Sequence, residues 1–158
     1  MTARRWEQGR AIVDAMIAEG RLERVPASRE QADVLISQAV AHLNSARVIA
    51  SSDPPGGYAM AYDAARKALL AVLENQGLRP TSVGGHHAAL GEAVVAQLVP
   101  PLASTFRPFQ RMRRRRNSLE YPSTAEPAMT EQDVLDDCAK ADDIVDACSR
   151  VLDQMLPY

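Results

Sequence analysis

The chain has 158 residues, is 46% hydrophobic with only 4% aromatic residues, and carries a formal net charge of -2. This length suits one domain that buries a core without metal or disulfide staples, and the near-neutral charge excludes a uniformly basic nucleic-acid-binding surface. Because alanine is abundant and β-branched runs are almost absent, we expect an all-α fold with close packing through small residues.

The spacing of apolar residues predicts six helices along the chain. Their expected bounds, in chain order, are about 3–19, 29–50, 58–76, 87–98, 105–120 and 131–155. Ser28 is placed to cap the start of the second helix, and Gly77 is placed to end the third. Thr130 with Asp133 resembles a capping box at the start of the last helix. Pro108 falls in the first turn of the fifth helix, where its missing N–H costs little.

The segments between these helices are rich in residues that break regular structure. Residues 51–57 read Ser-Ser-Asp-Pro-Pro-Gly-Gly, residues 21–27 form a link, and residues 78–85 form a glycine-containing loop. The first helix, with Trp6 on its apolar face, is expected to lie outside the main bundle. We therefore predict a single domain over 1–158, an antiparallel helical bundle of four to five core helices plus an N-terminal helix.

Two cysteines, Cys138 and Cys148, lie in the last predicted helix. At about 1.5 Å of rise per residue they would be about 15 Å apart, whereas a disulfide needs Cα atoms within about 7 Å. We therefore expect two buried thiols in a reducing cytosol. No leader pattern is found at the N-terminus, and no segment approaches the roughly 20 apolar residues of a membrane span. The expected protein is soluble and cytoplasmic, with no membrane contact.

Charge is concentrated in two segments of opposite sign. Residues 107–116 hold six arginines and no acidic residue, whereas residues 126–158 hold nine acidic residues and two basic ones. We expect the acidic segment to pack beside the basic one and to neutralise part of it, above all the outer arginines Arg113–Arg115.

Arg116 differs from the other arginines because it lies on an apolar stripe. The apolar members of that stripe, at helical spacing, are Phe109, Met112 and Leu119. Arg116 needs a partner or a ligand there, because an unpaired buried charge is very costly. Arg113, Asn117 and Tyr121 follow at four-residue steps on the flank of the stripe. One helix surface thus offers a cation, an amide and a phenol, which suits a phosphate or a nucleic-acid backbone.

Several kinds of site are excluded by the sequence. There is no phosphate-binding glycine loop, no dinucleotide-binding GxGxxG, no HExxH and no zinc-type spacing of cysteine and histidine. His86 and His87 are adjacent, so on a helix their side chains diverge by about 100° and do not readily chelate one ion. The aspartates of the last helix are interpreted as a solvated or arginine-facing surface. We therefore expect no metal and no cofactor.

Two segments resemble the HEPN domains, which are small helical bundles of prokaryotic toxin–antitoxin and defence systems. The first is AYDAARKALLAVLENQGLRPTSVGGHHAALGE, Ala61–Glu92, and the second is RMRRRRNSLEYP, Arg111–Pro122. The second is similar to the family motif of an arginine, a polar residue and a histidine four to six positions after the arginine. Arg116 and Asn117 match its start, and Tyr121 stands in place of the histidine. The resemblance is nearest to actinobacterial-type members and leaves residues 1–27 outside.

The resemblance implies a metal-independent RNase whose two motifs meet across a homodimer. Arg116 would hold the scissile phosphate, Asn117 would orient it, and Tyr121 would replace the histidine that handles the 2′-hydroxyl proton. A phenol with a pKa near 10 is a poor general base at neutral pH. His87 is a substitute if it faces the cleft, and the alternative is a structural histidine with its hydrogen bonds satisfied. The expected RNA-binding residues around this motif are Arg111, Arg113, Arg114 and Arg115.

Three hypotheses remain open from the sequence. The first is an RNA endonuclease toxin neutralised by a partner such as a small nucleotidyltransferase antitoxin. The second is a HEPN module without nuclease activity that binds RNA, a nucleotide or a partner protein. In the third, Arg116 is structural and pairs with Glu120 or with aspartates of the last helix. An alanine-rich bundle of this size is also expected to form a homodimer.

Overall fold

The computed structural model describes residues 7–158 of the chain. In this range it contains six helices and two short strands, which are α1 Arg10–Ala18, β1 Leu22–Arg24, α2 Arg29–Ile49, α3 Pro54–Gln76, β2 Leu78–Pro80, α4 His86–Leu98, α5 Ala103–Leu119 and α6 Glu131–Val151. The prediction of a mostly helical bundle is therefore confirmed. None of the helices in the described part is long and apolar enough to cross a membrane.

The predicted caps are present at three helix ends. The Ser28 hydroxyl accepts a hydrogen bond from the backbone N–H of Gln31 at 3.1 Å, and Thr130 and Asp133 form a reciprocal capping box. Gly77 ends α3 with φ 80°, where a Cβ would lie 2.7 Å from the carbonyl oxygen of Val25. These local interactions satisfy backbone groups that helix ends leave unpaired.

The start of α3 differs from the prediction. Residues 51–57 were expected to break the chain, but Pro54 to Gly57 form the first turn of the helix. Asp53 caps this turn by accepting from the backbone N–H of Gly56 at 3.0 Å. Proline is well tolerated in a first turn, because the N–H it lacks has no helical partner there.

A two-stranded antiparallel sheet replaces the predicted link and loop. Leu22 of β1 is paired with Pro80 of β2, and Arg24 is paired with Leu78. Leu22 and Leu78 are both buried. Strands of three residues are too short to produce the alternating pattern by which a strand is recognised in a sequence.

Three other helix boundaries are corrected. Helix α5 begins at Ala103, two residues earlier than expected, so Pro108 lies inside the helix rather than in its first turn. Helix α6 ends at Val151 rather than Met155. Helix α1 begins at Arg10 rather than near residue 3. Trp6, which was predicted to lie on the apolar face of this helix, is outside the described residues.

Helix α3 forms the centre of the bundle and contacts α2, α4, α5 and α6. Its side chains Tyr58 and Tyr62 are fully buried, and Phe109 of α5 packs against Tyr62 with ring centroids 5.6 Å apart. Cys138 and Cys148 are buried free thiols, as expected, and burial raises the pKa of each. The core thus brings the arginine helix α5 directly against α3.

Candidate nucleic-acid interface

A tyrosine and a histidine from different helices meet where α3, α4 and α5 come together. The Tyr62 hydroxyl lies 3.0 Å from Nδ1 of His87, which is in the first turn of α4. On α5, the ring of Phe109 stacks on the ring of Tyr62. The half-buried imidazole is therefore held by a side chain that is itself fixed in the core.

The surroundings of this pair keep both groups uncharged near neutral pH. Burial lowers the pKa of His87, and electrostatic interaction with Arg66, His86 and Arg116 lowers it further. Burial raises the pKa of Tyr62 to about 12, while the charges of nearby arginines act in the opposite direction. A neutral imidazole has one donor and one acceptor nitrogen, so the bond at Nδ1 decides the role of Nε2.

Three arginines lie near enough to the pair for their charges to act on it. The charges of Arg66, Arg113 and Arg116 all act on Tyr62, and those of Arg66 and Arg116 also act on His87. We call these three arginines together with Tyr62 and His87 the cationic face. It is assembled from α3, α4 and α5, so it exists only in the folded bundle.

Each arginine of the cationic face has a partner three or four residues away along the chain. Arg66 donates to Asp63 at 2.6 and 2.9 Å, Arg113 donates to the neutral amide of Gln110 at 2.9 Å, and Arg116 forms an ion pair with Glu120. The two carboxylates therefore do not balance the cations around them. Asp63 is also shared with two further basic groups, His42 at 3.2 Å and Lys67 at 4.0 Å.

The arginines on the opposite flank of α5 have partners on the facing helix α6. Arg111 donates to Asp137 at 2.8 Å, and Tyr58 donates to the same carboxylate at 2.6 Å. Arg115 lies 3.0 Å from Asp133, and its guanidinium is 5.4 Å from the ring centre of Tyr58. The expected neutralisation by the acidic segment is present at Arg111 and Arg115. It is not seen at the other two outer arginines, because Arg113 bonds to Gln110 and no ion pair of Arg114 with α6 is found among the described residues.

Asp137 is only 1% exposed and is ionised in this setting. Desolvation acts to raise its pKa, but the hydrogen bonds from Tyr58 and Arg111 and the charges of Arg111 and Lys140 outweigh it, so the pKa is lowered. The carboxylate therefore serves as a buried structural acceptor between α3, α5 and α6.

The residues of the Arg-Asn-x-x-x-Tyr motif are not brought together. The Arg116 side chain is 31% exposed and belongs to the cationic face, whereas Asn117 is exposed and Tyr121 is 83% exposed beyond the end of α5. Among the described residues, no side-chain hydrogen bond joins Asn117 or Tyr121 to Arg116. Arg114, which was also expected to bind RNA, is exposed on the same helix.

Sequence reasoning did not assign a role to Arg66, and it interpreted Asp137 only as part of a solvated or arginine-facing surface. The pairing with Arg111 agrees with the second alternative, but Asp137 is buried rather than solvated. Arg66 follows Tyr62 by four residues, which places both on one face of α3, and this spacing was a usable signal. Asp137 lies between Val134 and Ala141 at helical spacing, on the buried stripe of α6. A carboxylate at such a position calls for buried donors, which are Tyr58 and Arg111 in the structure.

Within residues 7–158, no group of three or more histidine, cysteine or acidic side chains is placed to hold a metal ion. The cationic face presents guanidinium, imidazole and phenol groups. Guanidinium groups present forked donors that match the oxygens of a phosphate. Comparison of the chain with protein-family models, curated proteins and solved structures gives no match.

Proposed function

We propose that the chain is a HEPN-type protein that binds the phosphate backbone of RNA on the cationic face. The observation that supports this is the contact of Tyr62 with His87 at 3.0 Å, close enough to Arg66, Arg113 and Arg116 for their charges to act on the Tyr62 hydroxyl. Half-buried arginines suit the backbone of a single-stranded nucleic acid, because their guanidinium groups present forked donors to the phosphate oxygens.

The existing partners of these arginines are weak competitors for a phosphate. The ion pair of Arg116 with Glu120 joins residues four apart on a helix surface, where such a pair contributes about 0.3–0.5 kcal/mol. Arg113 is bonded to a neutral amide. A phosphate can therefore replace Glu120 at Arg116 and add to the hydrogen bonding of Arg113 with little loss of protein stability.

The second candidate function is metal-independent RNA cleavage on the same face. It is favoured by the neutral imidazole of His87, because a group of this kind transfers protons near pH 7. In this form the chain would act as an endoribonuclease toxin, with two copies facing each other in a homodimer. A nucleotidyltransferase antitoxin is the partner that the HEPN resemblance suggests.

Binding is tested by fluorescence anisotropy of a labelled single-stranded RNA titrated with the protein at several salt concentrations. We expect the affinity to fall steeply with salt, and the Arg113→Ala/Arg116→Ala variant to bind much more weakly. Loss of two phosphate contacts should reduce the slope of log K against log salt by about 1.4.

The matched control for binding is the double variant Arg29→Ala/Arg150→Ala. It removes two exposed arginines of α2 and α6, which contribute no residue to the cationic face. It should retain near wild-type affinity and salt slope. Equal losses in the two double variants, or flat titrations of wild type at low salt, would show that the cationic face does not bind RNA.

Cleavage is tested with purified protein and single-stranded RNA in the presence of EDTA. The endonuclease hypothesis predicts RNA fragments with wild type and none with Arg116→Ala. Intact RNA after long incubation, together with measurable binding, would assign the protein to the class of binding modules without nuclease activity.

A further inference from the structure

A groove lies between the second half of α6 and the segment that joins α4 to α5. One wall is formed by the end of α4, the turn that follows it and the start of α5, and the other wall is formed by α6 and the turn after it. The groove has a volume of about 410 Å³, which is within the range of small-molecule sites in proteins. No residue of the cationic face lines it.

Apolar side chains from both walls line the groove. Leu98 at the end of α4 and Val151 at the end of α6 are buried, whereas Leu102 and Ala147 are half-buried and remain accessible. Burial against such a lining removes the hydrocarbon or aromatic body of a ligand from water, and this transfer is favourable in proportion to the apolar area that is covered. The walls therefore suit a ligand with an apolar body.

Three polar side chains line the same groove without a protein partner. They are the hydroxyl of Thr105 on α5, the carboxylate of Asp143 on α6 and the amide of Gln154 in the turn after α6. Among the described residues, none of these side chains forms a hydrogen bond or an ion pair. An apolar lining with a few convergent polar groups is the usual composition of a small-molecule site. These three groups are therefore available to orient a ligand.

The charged residues of the groove leave one negative charge without a partner. Asp146 pairs with Arg150 at 2.9 Å, and because both side chains are exposed this pair contributes little to stability. Asp143 lies three residues before Asp146 on the same side of α6, and no described residue forms an ion pair with it. The adjacent Asp142, in contrast, pairs with Arg47 of α2. The electrostatics of the groove therefore favour a cation over an anion.

We propose that this groove is a binding site for a small organic ammonium ion with an aromatic or hydrocarbon body. The ammonium group pairs with Asp143, and its three N–H donors match the acceptor oxygens of Asp143, Thr105 and Gln154 on the groove walls. The apolar body lies against Leu102 and Ala147. This site shares no residue with the cationic face, so it is independent of RNA binding.

The test follows proton–nitrogen correlation spectra of the labelled protein during titration with phenethylamine. We expect saturable shifts at backbone amides of residues 98–105 and 143–154, with a dissociation constant in the millimolar range for a ligand this small. Two matched probes separate the charge from the apolar body. Phenylpropionate has a similar body with the opposite charge, and ethylamine has the charge with almost no body. Each should bind at least about fivefold more weakly than phenethylamine.

Two variants test the assigned contacts. Asp143→Asn, at an exposed position, should weaken phenethylamine binding about three- to fivefold, and Ala147→Phe should abolish it by filling the groove. The matched control is Glu23→Gln, which neutralises an exposed carboxylate of β1 outside the groove and should bind phenethylamine as wild type does. Shifts that do not saturate or that lie outside the groove would overturn the site. Equal binding of phenylpropionate and phenethylamine, or wild-type affinity in Asp143→Asn, would overturn the assignment of a cation.

Discussion

The two flanks of α5 carry the same residue type in two different settings. On the flank that faces α6, Arg111 and Arg115 pair with Asp137 and Asp133 of the facing helix. On the other flank, the side-chain partners of Arg113 and Arg116 among the described residues are three or four residues away along the chain, Gln110 and Glu120. Ion pairs that join two helices support the fold, whereas pairs within one helix surface are easily exchanged for a ligand. The facing helix therefore decides the role of each arginine.

The largest expected effect concerns the buried carboxylate that supports the α6 flank. Asp137→Ala removes the acceptor of Tyr58 and Arg111 and leaves the buried Tyr58 hydroxyl without a bond. We expect the free energy of unfolding to fall by about 3 kcal/mol, as is typical when one partner of a buried charged network is lost. Urea denaturation followed by circular dichroism measures this change.

The adjacent residue provides the control for this prediction. Asp136 is exposed and accepts only from Gln132, at 2.8 Å, so Asp136→Ala should change the stability by no more than about 0.5 kcal/mol. Similar stabilities for the two variants would mean that the α6 flank is not held by its buried carboxylate.

The next prediction compares the two flanks directly. Arg111→Ala should lower the free energy of unfolding by about 1 kcal/mol, a reduced figure because its side chain is 42% exposed, and should leave RNA affinity nearly unchanged. Arg113→Ala should have the opposite profile, with a stability change within about 0.5 kcal/mol and weaker RNA binding. The same two assays, denaturation and anisotropy, measure both variants. If both arginines affect stability and binding alike, the two flanks are not functionally distinct.

A smaller effect is expected from pH. The pKa of His87 is lower in the folded state than in the unfolded chain, so below about pH 6.5 the unfolded chain binds a proton that the folded protein lacks. Stability should therefore fall as pH decreases from 7, by no more than about 1.4 kcal/mol per pH unit from this group.

The variant His87→Gln isolates this contribution, since its stability should depend less on pH than that of wild type between about pH 5 and 7. Asp133 and Asp137 have lowered pKa values and lose their contributions only at more acidic pH. Parallel stability curves for wild type and His87→Gln would show that the imidazole titrates alike in both states.

The helices and their caps could be predicted because their causes are local. Ser28, Gly77 and Thr130 act on backbone groups within one turn, and such interactions are visible in a short stretch of sequence. The small sheet could not be predicted, because it joins β1 to β2 across the whole α2–α3 hairpin and each strand is only three residues long. Its pairing depends on the tertiary packing.

The candidate site was predictable only in part for the same reason. The position of Arg116 beside Glu120 follows from helical spacing, and their pairing was one of the expected alternatives. The contact of Tyr62 with His87 depends on how α3 and α4 pack, and no periodicity within either helix indicates it. The sequence thus identified the arginine helix, and the structure adds the groups that α3 and α4 bring to it.

The smallest expected effect is that of Tyr121→Phe, and it distinguishes the motif from the cationic face. The Tyr121 side chain is 83% exposed and its hydroxyl has no hydrogen-bond partner among the described residues, so its loss should change stability by less than about 0.5 kcal/mol. RNA affinity and the cleavage rate should remain within about twofold of wild type, as measured by anisotropy and the EDTA assay. A loss of cleavage with unchanged binding would instead place Tyr121 at the reacting phosphate. Because Tyr121 lies beyond the end of α5, that outcome would point to a site completed by a second copy of the chain, with the HEPN motif position retaining its catalytic role.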